Sequence, residues 1–330
     1  MAVTANTNET YDVTTIREDL SKAMASISPT ETIFMSTIGS RNVDNTYFEW
    51  SEVDLAATGA NRQIEGDVGL SNTAPTNAVR KGGYTQISAK VVEVSSTNQA
   101  VNGVANAQTV AKQVAYKLAE LKRDMEAMLL ANVPAAAGSS GSARQTAGLP
   151  AYLTTNVSRG SGGANGTTSG TGEAGSVNAA ATDGTLRALT ETLLKDVIKG
   201  CWDSGAQPSV VMCGSAQKQK ISAFTGNATR FKEAEDSKLN AAIDVYIGDF
   251  GELQIVPNRH MRVRTVSSVD YTPDVFVLDP TYAEVAYLQT AKQEPLAKTG
   301  LSERRLISCE YGLQVTSQKA HGVVADVNAS

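Results

Sequence analysis

Residues 57–83 form a long stretch rich in Gly, Asn, Thr and Ala, and a strand-like pattern lies on each side of it. Residues 45–56 (NTYFEWSEVDLA) alternate between two faces as half-buried strands do, and residues 84–101 (YTQISAKVVEVSSTNQAV) do so again. An irregular loop of this length is uncommon in a compact domain, and it has little of its own to bury. We therefore expect two strands that bracket an extended loop, which a partner molecule orders.

The clearest regular element that the sequence predicts is a helix over residues 104–132. Most of its charged residues, Glu126 among them, fall on one face, and its apolar residues recur on the other at steps of three and four. These apolar positions are Ala107, Ala111, Val114, Leu118, Leu121, Met125 and Met128. Such a helix is about 40 Å long. A coiled coil is the alternative, but the alanines in the stripe and the small number of good heptads favour packing on a sheet or loop.

Two short helices are expected near the N-terminus, where they meet at Ser28. The first covers residues 14–27, and the second covers residues 28–39 with Ser28 as N-cap, Pro29 at its first position and Gly39 at its end. A small helical hairpin on the core is the interpretation that the pattern alone favours. An arm that contacts a neighbouring subunit is the alternative.

The second half of the chain predicts a mixed α/β region. Its predicted helices and strands are separated by turn signals and Gly-rich stretches. The predicted helices cover residues 183–202 and 215–224, and the predicted strands lie within 208–213, 239–263, 275–280, 283–289 and 304–315.

The charge balance and the reactive residues exclude several classes of function. The chain carries 29 basic and 34 acidic residues, whereas a protein that grips nucleic-acid backbones normally has a basic excess. Its three cysteines are scattered, and its two histidines have no metal-ligand spacing. The sequence begins with no secretory signal and contains no apolar run of about 20 residues. We therefore expect no cofactor, no metal and no membrane contact, and synthesis in the cytoplasm.

A glycine motif at residues 169–176 (SGTGEAGS) resembles a dinucleotide-binding turn, because Gly170, Gly172 and Gly175 have the spacing G-x-G-x-x-G. Such a turn should follow a strand and open a helix. The preceding residues are not strand-like, and the next predicted helix begins near Asp183. We therefore expect a flexible, exposed connection here. No P-loop, nucleophile elbow or supported triad occurs elsewhere, which argues against an enzyme.

The order of these parts resembles the major capsid proteins of tailed bacteriophages, which have the Hong Kong 97-like fold. The resemblance covers nearly the whole chain and rests on ordered segments rather than on catalytic residues. The segments that carry it are residues 19–39, 45–50, 86–101, 113–130, 244–259 and 302–324. It implies an α+β fold with an N-terminal arm, an extended two-stranded loop, a peripheral domain with a long spine helix, and an axial domain.

The resemblance also implies boundaries for these parts. They are an arm over 1–41, an extended loop over 46–96, a peripheral domain over 97–183 with spine helix 104–132, an axial domain over 184–275, and a return to both sheets over 276–330. The peripheral range also contains the Gly/Ser-rich loop 158–176, for which the resemblance implies no role. Some relatives join their subunits by a Lys–Asn isopeptide bond. Lys81 lies in the extended loop, but the sequence gives no basis for choosing its partners, so no cross-link is expected.

The implied function is structural. Copies of the chain would assemble as pentamers and hexamers into an icosahedral head shell that encloses double-stranded DNA without binding it specifically. The shell would assemble in the host bacterial cytoplasm and reside in the virion, with portal, scaffold or decoration proteins as further partners. An encapsulin-like compartment and, remotely, a nucleotide-dependent enzyme are the alternatives. The candidate inter-subunit contacts are Phe34, Trp50, Arg62, Arg80, Lys81, Arg304 and Arg305.

Overall fold

The computed structural model of this chain describes ten segments. They are residues 30–62, 64–66, 74–101, 109–168, 175–224, 245–261, 264–266, 269–271, 274–298 and 300–328. The first predicted helix, the predicted cap at Ser28 and Pro29, and two glycines of the motif, Gly170 and Gly172, lie outside the described residues.

Helices and mainly antiparallel strands make up the described chain. The helices are α1 (Ile33–Thr37), α2 (Ser96–Ala100), α3 (Val110–Leu129), α4 (Leu149–Tyr152), α5 (Glu191–Asp203) and α6 (Ser215–Ser222). The strands are β1 (Gly39–Asn42), β2 (Tyr47–Glu52), β3 (Val79–Tyr84), β4 (Gln86–Ser95), β5 (Asn156–Ser158), β6 (Thr167–Thr168), β7 (Val177–Ala179), β8 (Val210–Cys213), β9 (Val245–Gly248), β10 (Gly251–Pro257), β11 (Arg264–Val266), β12 (Val269–Tyr271), β13 (Val275–Leu278), β14 (Ala283–Pro295), β15 (Ser302–Val315) and β16 (Gly322–Val324).

A four-stranded sheet in the order β1-β14-β15-β4 carries the long helix α3 on one face. Strand β15 pairs antiparallel with β4 from Ser302 opposite Ser95 to Tyr311 opposite Gln86. The alternation in β4 turns Val92 inward, and Lys90 forms an ion pair with Asp124 of α3. The helix therefore packs as a layer against the four-stranded sheet, as its apolar stripe predicts.

A six-stranded sheet in the order β5-β16-β13-β8-β10-β9 forms the second main unit. Its central strands β8 and β13 are buried throughout, which explains their continuous apolar runs. Helix α5 packs on β5 and β16 through residues such as Val197 and Cys201. The predicted Gly-Asp-Phe-Gly turn joins β9 to β10.

Three helices begin later than the sequence predicts. Thr109 has an extended backbone and is the N-cap of α3, so the spine helix starts at Val110 rather than at residue 104 and is about 30 Å long. Helix α5 starts at Glu191 rather than at Asp183, because Thr190 accepts a hydrogen bond from the Leu193 amide as its cap. Helix α1 starts at Ile33 after Thr32.

The main hydrophobic core joins parts that are far apart in sequence. It contains Phe34 of α1, Trp50 of β2, Leu121 of α3, Leu313 of β15 and Phe276 of the six-stranded sheet. The segment around α1, the base of the extended loop and both large sheets therefore share one core.

Candidate assembly surfaces

The extended loop leaves the rest of the chain through a two-stranded root, β2 paired with β3. Sequence reasoning placed β3 in the irregular loop, so this pairing was missed. Beyond the root, described residues 53–62, 64–66 and 74–78 are all exposed. Leu55 is 85% exposed and Ile64 is 81% exposed. Exposed apolar side chains on a loop are typical of a surface that a partner covers.

Two glycines make a slot for the aromatic ring of Phe48 at the root. A Cβ atom at Gly83 would lie 2.9 Å from Cζ of Phe48, and one at Gly312 would lie 2.6 Å from its Cε1. Trp50 packs beside the same ring and against Tyr152, whose hydroxyl donates a hydrogen bond to the Leu313 carbonyl at 3.1 Å. The root is therefore seated on the protein by close aromatic packing.

Replacing Gly312 with alanine is expected to lower the free energy of unfolding by about 1–3 kcal/mol, the usual cost of overpacking a core. The new methyl group must displace Phe48 or the backbone carbonyl of Tyr84, which lies 3.0 Å from the Cβ position. Urea denaturation of the unassembled chain measures the change. Gly141→Ala is the matched control, since a Cβ atom there meets nothing within 4 Å. Equal stability of the two variants would contradict the slot.

Polar contacts fix the point where the root turns into the four-stranded sheet. The Thr85 amide donates to the Thr46 carbonyl at 2.9 Å. The Thr85 hydroxyl donates to the buried Glu310 carboxylate at 2.7 Å, and Arg144 forms an ion pair with the same carboxylate. These contacts tie the turn at Thr85 to β15 and to the loop that carries Arg144.

The N-terminal segment is held by a buried carboxylate of the spine helix, Glu126, which is 0% exposed. Its Oε1 accepts hydrogen bonds from the Phe34 amide at 2.6 Å and from Asn258 Nδ2 at 2.7 Å, and its Oε2 accepts one from the Met35 amide at 2.9 Å. Burial raises the pKa of Glu126 above its usual value, although the three donors act against that shift. The prediction that Glu126 lies on the polar face is wrong.

A second set of contacts joins the same segment to the loop after β10. Asn258 Oδ1 accepts from the His260 amide at 2.8 Å, and His260 Nε2 lies 3.1 Å from the Glu31 carbonyl. Arg259 lies 3.9 Å from the Glu31 carboxylate at the surface. The contacts of Glu126 and of this loop form what we call the arm latch: Glu31, Phe34, Met35, Glu126, Asn258 and His260.

Two of the residues proposed as inter-subunit contacts are packed inside their own chain. Phe34 is 0% exposed and Trp50 is 8% exposed. They can influence a neighbour only through the segments that they anchor. A direct contact with another subunit stays a prediction for them.

The five charged candidates lie on two parts of the chain, the extended loop with its root and strand β15. Arg62 is exposed on the extended loop, and Lys81 is half-buried at its root. Arg80 forms an ion pair with Glu49 across the root. On β15, Arg304 forms an ion pair with Glu93 of the neighbouring strand β4. Arg305 forms an ion pair with Glu303 of its own strand. The structure thus gives three of these arginines partners within the chain, and their contacts with a neighbour remain untested.

The glycine motif is not a flexible, exposed connection at Gly175. That residue is buried, and a Cβ atom there would lie 2.8 Å from the Arg80 carbonyl oxygen and 3.3 Å from Cα of Lys81. A two-residue strand, β6, precedes the motif, and β7 follows it where a dinucleotide-binding turn would have a helix. The expectation is wrong because the packing partner, β3, lies far away in the sequence.

The described residues offer little reactive chemistry. They contain no group of three or more His, Cys, Asp or Glu side chains that could hold a metal ion. Burial raises the pKa of Cys201 and Cys213 to about 12 and that of Cys309 to about 11, so these thiols stay protonated at neutral pH. Across the helices of the described segments, none has both the length and the hydrophobicity to span a membrane.

Comparisons with known proteins agree with this assembly of parts. A family model described as SU10 major capsid protein matches residues 3–328. The major capsid protein of Escherichia phage Phieco32 is 32% identical over 129 residues, which are 39% of this chain and 34% of that protein. The match therefore spans about a third of the length of that relative.

Solved structures share the fold at low sequence identity. The capsid of a native GTA particle has a TM-score of 0.62 at 13% identity, covering 97% of this chain and 98% of that one. Microbacterium phage Oxtober96 gives 0.62 at 9% identity, covering 95% and 96%. The holo-SrpI encapsulin complex from Synechococcus elongatus PCC 7942 gives 0.56 at 11% identity, covering 96% and 94%. These likenesses confirm the expected α+β fold of Hong Kong 97-like capsids.

Proposed function

This chain belongs to the SU10 major capsid protein family, and from that premise we propose that its copies assemble as pentamers and hexamers into a closed icosahedral head shell. The shell encloses double-stranded DNA. It forms in the cytoplasm of the bacterial host and becomes part of the virion. The protein has no catalytic role in this proposal.

The extended loop is the observation that carries the proposal. Its root is fixed on the protein by Phe48 and Trp50, whereas its described outer residues are all exposed. A loop with that arrangement gains its buried area from a neighbour, and in a closed shell every loop has one. Leu55, Ile64 and Arg62 are the described side chains best placed to make the contact, because they are exposed beyond the root.

The architecture supports the following division of the subunit. We assign residues 1–41 to the arm, 46–96 to the extended loop, 97–183 to the peripheral domain, 184–275 to the axial domain and 276–330 to strands of both sheets. Strand β5 lies in the peripheral range but joins the six-stranded sheet, so that range contributes to both units. Portal, scaffold or decoration proteins are the further partners of such a shell.

The proposed shell does not bind its DNA specifically. The net charge of the chain is -5, which leaves no basic excess to hold phosphate groups over the whole inner surface. An encapsulin-like compartment has the same fold, but the family match favours the capsid.

Negative-stain microscopy of the purified full chain tests the proposal. We expect closed particles tens of nanometres wide, because a shell of this kind contains many copies of the 34.7 kDa subunit. Extraction of the particles produced in a phage infection should then yield DNA rather than a cargo protein. A monodisperse monomer or small oligomer under every assembly condition would contradict the shell.

A further inference from the structure

The Gly/Ser-rich region has a defined place against the extended loop. Its described part forms a short ribbon, β6 paired with β7, which packs on α4. Val177 in β7 is fully buried, and its carbonyl accepts a hydrogen bond from the Ala135 amide at 2.9 Å. Gly166 lies so close to the Ala151 carbonyl oxygen that a Cβ atom would be 2.4 Å from it. The ribbon is therefore seated firmly on the protein.

The ribbon touches the root of the extended loop at Gly175. The nearest atoms of the root are backbone atoms of β3, the Arg80 carbonyl oxygen and Cα of Lys81. A water-sized cavity of about 20 Å³ lies beside this contact and is lined in part by Trp50, Thr168 and Lys81. Because backbone meets backbone here, the position of Gly175 directly limits the position of β3.

The β2 side of the root is supported differently. The Ser317 hydroxyl donates to the Glu52 carboxylate at 2.8 Å, and Lys319 forms an ion pair with Asp54 at 2.5 Å. A cleft of about 280 Å³ lies next to these polar contacts, between the base of the loop and residues 204–206. The root is thus in backbone contact with the ribbon at β3, whereas a cleft lies beside the end of β2 at Ser51 and Glu52.

We propose that the β6–β7 ribbon is a brace that sets, through Gly175, the angle at which the extended loop leaves the subunit. This inference rests on the proposed function and deepens it: the angle of the loop decides where the loop meets the neighbouring copy, and so the ribbon regulates the curvature of the shell. Small changes at the root are amplified along the loop, because described residues 55–62, 64–66 and 74–78 of the loop are all exposed.

Spin labels test the brace in the unassembled chain. One label is placed on the loop at Thr76→Cys and the other on α5 at Lys199→Cys, both exposed positions, and pulsed electron resonance measures the distance between them. Gly175→Ala inserts a methyl group between ribbon and root, and we expect it to shift the mean distance. Val177→Ala loosens the seat of the ribbon without adding bulk, and we expect it to broaden the distance distribution. Gly141→Ala, which meets nothing within 4 Å, should match the wild type.

Microscopy of assembled samples completes the test. We expect Gly175→Ala to give particles with a changed or broader range of diameters, whereas Gly141→Ala gives the wild-type range. Wild-type distances in both folded ribbon variants would overturn the brace. If Gly175→Ala does not fold, Val177→Ala alone decides. Failure of the wild-type chain to form particles would instead overturn the proposed function, and the label distances would still decide whether the ribbon holds the loop.

Discussion

Replacing Glu126 with alanine is expected to lower the free energy of unfolding of the subunit by about 3 kcal/mol or more. The change removes the acceptor of three donors, namely the buried amide of Phe34, the half-buried amide of Met35 and the side-chain amide of Asn258. Each such orphaned group costs about 1–3 kcal/mol. Denaturant unfolding measures the loss, and amide exchange at Phe34 and Met35 shows whether the arm latch has opened.

Glu120→Ala is the matched control on the same helix. Glu120 is partly exposed and pairs with Lys117 and Lys90, so its loss should cost less than about 1 kcal/mol. Glu126→Gln should fall between the two alanine variants, because burial already penalises the charge of Glu126 and the amide oxygen can still accept. If Glu126→Ala unfolds like the Glu120 control and keeps both amides protected, the latch does not hold the segment.

Replacing residues 55–77 by a short Gly–Ser linker is expected to abolish closed shells while the subunit still folds. The variant keeps β2, β3 and the Lys319–Asp54 ion pair, and the described residues that it removes are all exposed. Its free energy of unfolding should therefore stay within about 1 kcal/mol of the wild type. Negative-stain microscopy counts the particles, and denaturant unfolding checks the fold.

Thr76→Ala combined with Asn77→Ala is the control, since it alters exposed loop residues but keeps the length and the apolar side chains of the loop. This double variant should assemble. Normal particles from the shortened loop would show that the loop is not the contact between subunits, and loss of the folded state would show that it supports the subunit itself.

Sequence patterns predicted those elements whose buried and exposed positions follow from residues close together in the sequence. The alternation at Phe48 and Trp50 predicted β2, and the continuous apolar runs at residues 210–213 and 275–278 match the central strands of the larger sheet. The two glycines around Asp249 predicted the turn from β9 to β10. In each case the neighbours along the chain carry the signal.

Contacts between distant segments were beyond the reach of these patterns. Glu126 accepts from an amide 92 residues away, and nothing near it in the sequence marks it as buried. Gly175 lies in a glycine-rich stretch where its neighbours predict a loop, yet its packing partner is β3. Helix starts at Thr109 and Thr190 were missed because a threonine inside a helical pattern is also a good N-cap.

The shared core sets where a subunit can adapt to its surroundings. In a shell built from one kind of chain, a copy in a pentamer and a copy in a hexamer need slightly different bonding geometry. The core that contains Phe34, Leu121 and Phe276 is closely packed and has low compressibility, so small changes in its shape are costly. In the proposed shell, we therefore expect the strain of quasi-equivalence to concentrate in the exposed parts outside the hydrophobic cores. Among the described residues, the exposed part of the extended loop beyond Asp54 lies outside both hydrophobic clusters, so we expect it to be a flexible connection between stiffer parts of the subunit.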